Sequence, residues 1–313
     1  MEVLFTFLPK DHQQQLLREE FPEVQFHFTY KDKTHLPDAQ VLVTYGEDIC
    51  AEDIEAARKL KWIMVASAGI EKMPHEAIAA RGITVSNVKG IHKTPMAESV
   101  LAHILSLKRS LPFIYESQQK GEWNRKTGSS ELRGSTALIL GPGAIGSEIG
   151  RLLQAFGVQT IGCNRTGKAS EYMEEMVPFE SILEMLPKAD IVISVLPSTE
   201  ETRNMLRKEH FAAMKNDAIF MNFGRGDLFE DETLIEALET NEIGTAVLDV
   251  FSQEPLPSDH PYWRMSNIVI SPHASSHSGK YVERALQVFV PNLKKWLSKN
   301  EEPTNLVSME KGY

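Results

Sequence analysis

The run Thr136-Ala-Leu-Ile-Leu-Gly-Pro-Gly-Ala-Ile-Gly-Ser147 decides the fold. Ala137–Leu140 reads as a short buried strand. Gly141, Gly143 and Gly146 follow at once as GxGxxG. Ile145, Ile149, Leu152, Leu153 and Phe156 then share one face of a helix ending near Gly157, and Val158–Gly162 reads as a second strand. In such a unit the first glycine suits a tight turn. The second lets the backbone approach a pyrophosphate, and the third lets helix pack on strand. The helix N-terminus, with Gly143, Ala144, Ile145 and Gly146, offers unpartnered N–H groups and partial positive charge to the phosphates. GxGxxG alone is a weak signal; between a strand and a helix it is specific. A dinucleotide-binding α/β domain is the prediction.

Working outward, further apolar runs recur between amphipathic stretches. Strands are expected at Val3–Leu8, Val41–Tyr45, Trp62–Ala66 and Ile83–Val88 before the glycine motif, and at Ile191–Leu196, Ala218–Asn222, Ala246–Phe251 and Ile268–Ser271 after it. The runs are continuous in Ile, Val and Leu rather than alternating, as in strands covered on both faces. Their alternation with helices argues for parallel sheets. A helix is predicted to open at Thr94-Pro95. The polar stretch 118–134 reads as a connection. Val282, Ala285, Leu286, Phe289, Leu293, Trp296 and Leu297 fall at helical spacing, on a helix expected to pack back on the N-terminal part.

Bulk composition fits this class. The chain has 313 residues, 42% hydrophobic and 24% charged, enough for two domains. A net charge of −10 opposes general nucleic-acid binding. Cys50 and Cys163 offer no metal-site spacing and no disulfide framework, so no metal is expected and a cytoplasmic location is. No apolar run approaches the length of a membrane helix, and the N-terminus lacks the flanks of a signal peptide.

The residues after the second strand bear on the cofactor. NAD-binding units usually place an acid there for the ribose 2′-OH. Here the chain reads Asn164-Arg165-Thr166-Gly167-Lys168. A carboxylate would repel a 2′-phosphate, whereas Arg165 offers it a planar fork, Asn164 and Thr166 hydrogen bonds and Lys168 a point charge. NADP(H) is the expected cofactor, with NAD(H) the open alternative.

Three ionisable residues stand just past three successive strands: Arg225 in Asn222-Phe-Gly-Arg-Gly226, Glu254 in Asp249-Val-Phe-Ser-Gln-Glu-Pro255, and His273 in Ser271-Pro-His273. Ligands of open parallel sheets bind beyond the carboxyl ends of the strands. The set suits carbonyl reduction. A hydride adding to a ketone builds negative charge on oxygen, which a histidine with a carboxylate partner can quench with a proton. An arginine can grip a substrate carboxylate with both arms.

With Leu196-Pro197, Thr199 and Thr202, and with Pro255-Leu-Pro257, these motifs occur in an order that resembles the D-isomer-specific 2-hydroxyacid dehydrogenase family over essentially the full length. The resemblance implies two Rossmann-like, doubly wound parallel-sheet domains with a cleft between them. It implies a substrate domain of residues 1–97 plus 284–313 and a cofactor domain of 98–283. It implies Arg225 as carboxylate and carbonyl binder, His273 as general acid/base and Glu254 as its partner. Asp249 would lie near the nicotinamide carboxamide, Leu196, Pro197 and Thr202 would border the cofactor, and Phe223-Gly224 would lie beneath the nicotinamide. The loop with Ala68, Gly69 and Ile70 would meet the substrate carboxylate. The Arg165 loop resembles NADPH-preferring glyoxylate/hydroxypyruvate reductase-like members, and a homodimer is implied. Formate dehydrogenase relatives place Gln where Glu254 stands, which disfavours formate. The other reading is a nicotinamide-nucleotide-sensing interaction protein similar to the C-terminal-binding-protein corepressors, which keep the Arg/Glu/His set.

Overall fold

The structure, a computed structural model, describes residues 1–67, 69–70, 72–298 and 301–307. The chain forms two compact units, Met1–Ile91 with Ser278–Tyr313, and His92–His277.

The first unit alternates strand and helix: β1 (Glu2–Phe5), α1 (Asp11–Glu20), β2 (Gln25–Phe28), β3 (Val41–Thr44), α2 (Ala51–Ala56), β4 (Trp62–Val65), α3 (His75–Ala80) and β5 (Thr84–Asn87). Its strands pair in parallel in the order β2-β1-β3-β4-β5. Side chains alternate across the sheet with the period of a strand. Val3, Phe5, Val41, Val43, Trp62 and Met64 enter one core layer. Leu4, Leu42, Ile63, Val65 and Val85 enter the other, against Ile54 of α2 and Ile78 of α3.

The second unit holds α4 (Lys93–Lys108), α5 (Leu111–Lys120), β6 (Thr136–Leu140), α6 (Ala144–Ala155), β7 (Gln159–Asn164), β8 (Glu175–Pro178), α7 (Ile182–Met185), β9 (Ile191–Ser194), α8 (Lys208–Ala212), β10 (Ile219–Asn222), α9 (Asp231–Glu239), β11 (Thr245–Leu248) and β12 (Ile268–Ile270). The strands form one parallel sheet ordered β12-β11-β10-β9-β6-β7-β8. Chain order reverses between β6 and β9, the point where open α/β sheets bind their ligands. Ile139, Ile193 and Met221 face Val100 and Ile104 of α4 and Ile149 and Leu153 of α6. Leu140, Val192, Phe220 and Leu248 face Leu234 and Leu238 of α9. The last helix, α10 (Tyr281–Ser298), then returns to the first unit. There Ala285, Phe289 and Leu293 cover the Phe5–Trp62 layer, and the Phe289 ring stacks 5.9 Å from Trp62.

Four details differ from the sequence reading. The units part after Ile91 and after His277, earlier at each junction than 97/98 and 283/284. Met96 and Ala97 already belong to the second core, and Tyr281 and Val282 already pack on the first. The helix expected from Thr94-Pro95 begins one residue earlier, at Lys93, with His92 as its cap. The stretch 118–134 begins inside α5, which runs to Lys120. Finally, β2 and β8 are additional strands, so among the described residues the first sheet has five strands rather than four and the second seven rather than six. Both are edge strands, Gln-Phe-His-Phe and Glu-Met-Val-Pro, and their polar residues broke the apolar runs that mark buried strands.

Candidate active site

The glycine turn has the geometry its sequence asks for. Gly141 sits at φ +88 and its N–H donates to Cys163 O at 2.9 Å, joining β6 to β7. Left-handed backbone there is nearly free for glycine and strained for other residues. A Cβ on Gly146 would lie 2.7 Å from Gly141 O, so only glycine lets α6 start this close to the strand. A Cβ on Gly143 would meet nothing within 4 Å. The space over the helix N-terminus is therefore an open cradle, entered by the N–H groups of Ala144, Ile145 and Gly146, which precede the first intrahelical bonds. These features fit a pyrophosphate.

The loop after β7 is fixed by Asn164. Its Oδ1 accepts from Thr166 N at 3.1 Å and its Nδ2 donates to Lys168 O at 2.9 Å. The asparagine shapes the loop, and Arg165 and Lys168 project from it as exposed cations. On the other side of β6, the turn after β9 carries Leu196 and Pro197. Thr202 is buried there, its Oγ1 donating to Pro197 O at 2.6 Å, so this hydroxyl holds the turn. Gly224 packs on the same turn: a Cβ there would lie 2.4 Å from Leu196 O. Phe223 is buried beside it.

At the ends of β10, β11 and β12 the predicted constellation assembles in part. His273 Nδ1 lies 2.8 Å from Glu254 Oε2, and Glu254 Oε1 accepts from Phe251 N at 3.0 Å. With Nδ1 engaged, Nε2 is the imidazole atom turned away from Glu254. His273 itself adopts φ +51, uncommon for a residue with a side chain. Its N–H donates to both Asp249 O and Ser271 O at 2.9 Å. Arg225 extends from the neighbouring strand end. Asn222 Nδ2 holds its carbonyl at 2.9 Å, and its own Nη1 donates to Gly224 O at 2.9 Å.

Asp249 has a task the sequence did not disclose. It is only 1% exposed. Its Oδ1 accepts from Ser271 Oγ at 2.5 Å, Ala274 N at 3.0 Å and Ser275 N at 3.2 Å, and Oδ2 accepts from Ser275 Oγ. The carboxylate thus ties down the turn that presents His273. His103 of α4 was also missed. Its ring is 6.0 Å from that of Phe223, and burial holds its imidazole below the ordinary value, with Asp249 opposing. A histidine amid a run of helical apolar residues gives no sequence signal of what it faces.

The predicted substrate loop belongs to the first unit. Ser67 Oγ donates to Gly69 O at 2.7 Å. Ile70 is buried, and its carbonyl accepts from Met73 N and meets His75 Nε2 at 2.8 Å. Ala68 lies outside the described residues. Among the described residues no group of three His, Cys, Asp or Glu side chains is placed to hold a metal ion, and no helix is long and apolar enough to cross a membrane.

The chain is similar to known proteins. Residues 101–275 match the family model for D-isomer specific 2-hydroxyacid dehydrogenase, NAD binding domain. A chloroplastic/mitochondrial formate dehydrogenase of Arabidopsis thaliana is 34% identical over 249 residues, 77% of this chain and 65% of that relative's length. A glyoxylate reductase of Aeropyrum pernix is 32% identical over 282 residues, 87% of this chain and 84% of its own. A D-isomer specific 2-hydroxyacid dehydrogenase family protein from Aeromonas salmonicida, of known crystal structure, superposes with a TM-score of 0.88 at 31% identity, covering 98% of this chain and 99% of that one.

Proposed function

We infer the activity from one premise: this chain belongs to the D-isomer specific 2-hydroxyacid dehydrogenase family. We propose that it reduces a small 2-keto acid to the D-2-hydroxy acid with NADPH. The bonded pair His273–Glu254, at the strand ends that also carry Arg225, is the observation that carries the reading. When bound, the nicotinamide supplies the hydride. Arg225 grips the substrate carboxylate and polarises the neighbouring carbonyl. His273 Nε2 delivers the proton to the carbonyl oxygen as the carbonyl carbon takes the hydride, and Glu254 steadies the imidazole through Nδ1. Asp249, through Ser271, Ala274 and Ser275, fixes the turn from which His273 acts. The glyoxylate reductase relative supports an oxo acid substrate, and Glu254, where the family resemblance implies Gln in formate enzymes, supports one that needs a proton donor.

The preference for NADPH rests on Arg165 and on the absence of an acid at the end of β7. A cytoplasmic location, supported by two free cysteines, and a homodimer, supported by the family resemblance, belong to the same proposal. The test is oxidation of NADPH, followed by absorbance, against glyoxylate, hydroxypyruvate, pyruvate, phenylpyruvate and 2-ketoisocaproate, repeated with NADH. Turnover dominated by NADPH supports the reading. Tight nucleotide binding without turnover on any keto acid would replace it with a nucleotide-sensing role.

A further inference from the structure

The loop after β7 and the turn after β9 flank the glycine turn, because β6 lies between these two strands. One ion pair joins them. Arg165 Nη1 stands 3.7 Å from Glu201 Oε1, with the two side chains 71% and 57% exposed. Glu201 belongs to the segment Ser198-Thr-Glu-Glu-Thr202, whose turn is locked from below: Thr199 N donates to Thr202 Oγ1 at 2.9 Å, and Thr202 Oγ1 donates to Pro197 O. Asn164 locks the opposite loop. Both backbones are fixed, so the pair is made and broken by side-chain rotation alone.

We propose that Glu201 is a specificity-determining residue for the nucleotide, a resident anion that any 2′-phosphate must displace from Arg165. The proposal rests on the reading of Arg165 as the 2′-phosphate ligand. The chemistry is a competition between two anions for one guanidinium. A phosphate monoester carries nearly two negative charges and three acceptor oxygens, and a planar fork favours it over one oxygen of a carboxylate at 3.7 Å. An exposed pair of this kind is weak, so a phosphate can win. The displaced carboxylate still stands close enough to repel the incoming charge. A 2′-hydroxyl has no charge and competes for nothing. Glu201 therefore lowers affinity for NADPH and leaves affinity for NADH nearly unchanged, narrowing the preference that Arg165 creates.

The test is nucleotide binding to the substrate-free protein, read by quenching of tryptophan fluorescence. NADPH and NADH are titrated against the wild type, Glu201→Gln, Arg165→Gln and the double variant, at low and high salt. Gln keeps the size of Glu201 and removes its charge at a solvent-exposed position, so the fold is not at stake. Glu201→Gln is expected to tighten NADPH about two- to fivefold, the size of an exposed ion pair, and to move NADH by less than twofold. The gain should shrink at high salt and vanish in the Arg165→Gln background. If Arg165→Gln weakens NADPH while Glu201→Gln changes nothing, the proposal falls and the reading of Arg165 stands. An equal gain from Glu201→Gln with and without Arg165 would also overturn it, since the glutamate would then act as a general field. If Arg165→Gln leaves the NADPH/NADH ratio where it was, both fall together.

Discussion

His273 and Glu254 are joined at 2.8 Å, and the glutamate is itself held from behind, its other oxygen accepting the N–H of Phe251 at 3.0 Å. The imidazole is thus oriented by a carboxylate that cannot turn without breaking a backbone bond. His273→Ala is expected to lower kcat by about 10²–10⁴, the usual worth of a positioned acid, while the Kd for NADPH changes less than about threefold. Glu254→Gln keeps the shape and removes the charge, so a smaller loss of kcat with an altered pH profile is expected. Steady-state kinetics beside fluorescence titration separates the two quantities, and an unchanged kcat in His273→Ala would remove the residue from the mechanism.

Arg225 offers a fork that lysine lacks. Arg225→Lys keeps the charge and should still cost about 10²-fold or more in kcat/KM for the keto acid. Nucleotide affinity should stay near wild type. A kinetic loss shared equally with nucleotide binding would show that the arginine supports the site without gripping the substrate.

Gly226 bears directly on the loop of Glu254. A Cβ there would lie 2.0 Å from both the carbonyl carbon and the carbonyl oxygen of Phe251, backbone atoms that cannot rotate away. Gly226→Ala must displace the 251–254 segment, and with it the bond from Phe251 N to Glu254. We expect destabilisation of about 1–3 kcal/mol in denaturant unfolding and a larger fractional loss of kcat than of nucleotide affinity. A variant with wild-type stability and activity would mean that β10 and β11 can part freely.

The two thiols should separate cleanly. Cys163 is buried in β7, and burial pushes its thiol up to about 12. Cys50 is exposed at the start of α2, raised by hydrogen bonding to Glu52. A thiol reagent should modify one cysteine in the native chain, slowly at neutral pH, and both after unfolding. Fast labelling of Cys163 would reveal local opening between β7 and β8.

Acid should weaken the fold in two steps. Burial holds His103 and His210 below the ordinary 6.5, so the folded chain binds these protons less readily than the unfolded one. Their contribution is complete above pH 6.5 and is lost as pH falls from there through the lowered values. Asp190, held low by Lys215 against its own burial, loses its contribution only below 3.8. Tm should therefore begin to fall on the acidic side of 6.5, before carboxylates titrate. His103→Gln with His210→Gln should flatten that first step, and an unaltered slope would exclude these histidines as its source.

The sequence revealed the central strands, the glycine turn and the residues at the strand ends because each has a local cause. Buried parallel strands demand unbroken apolar runs, and a turn at φ +88 demands Gly141. The edge strands β2 and β8 escaped, since one open side lets polar residues in. The part played by Asp249 escaped for another reason. Its ligands, Ser271, Ala274 and Ser275, stand more than twenty positions away, and nothing local marks an aspartate that will be buried beneath a turn. The pairing of Arg165 with Glu201 is hidden in the same way, because only the order β9-β6-β7 brings the two loops together.

The first unit is built from two segments that flank the second in sequence, and this governs the order in which its parts are made. The second unit is one contiguous stretch and has all its residues once His277 has left the ribosome. In that order β1 must wait for α10: Phe5 and Trp62 find Phe289 only after the whole second unit has been made. Until α10 follows, the sheet of the first unit carries a bare aromatic face, the kind of surface that chaperones shelter and that aggregates when left alone. A premature stop between residues 278 and 289 would keep Arg225, Glu254 and His273 in the chain of a molecule whose other unit cannot close its core.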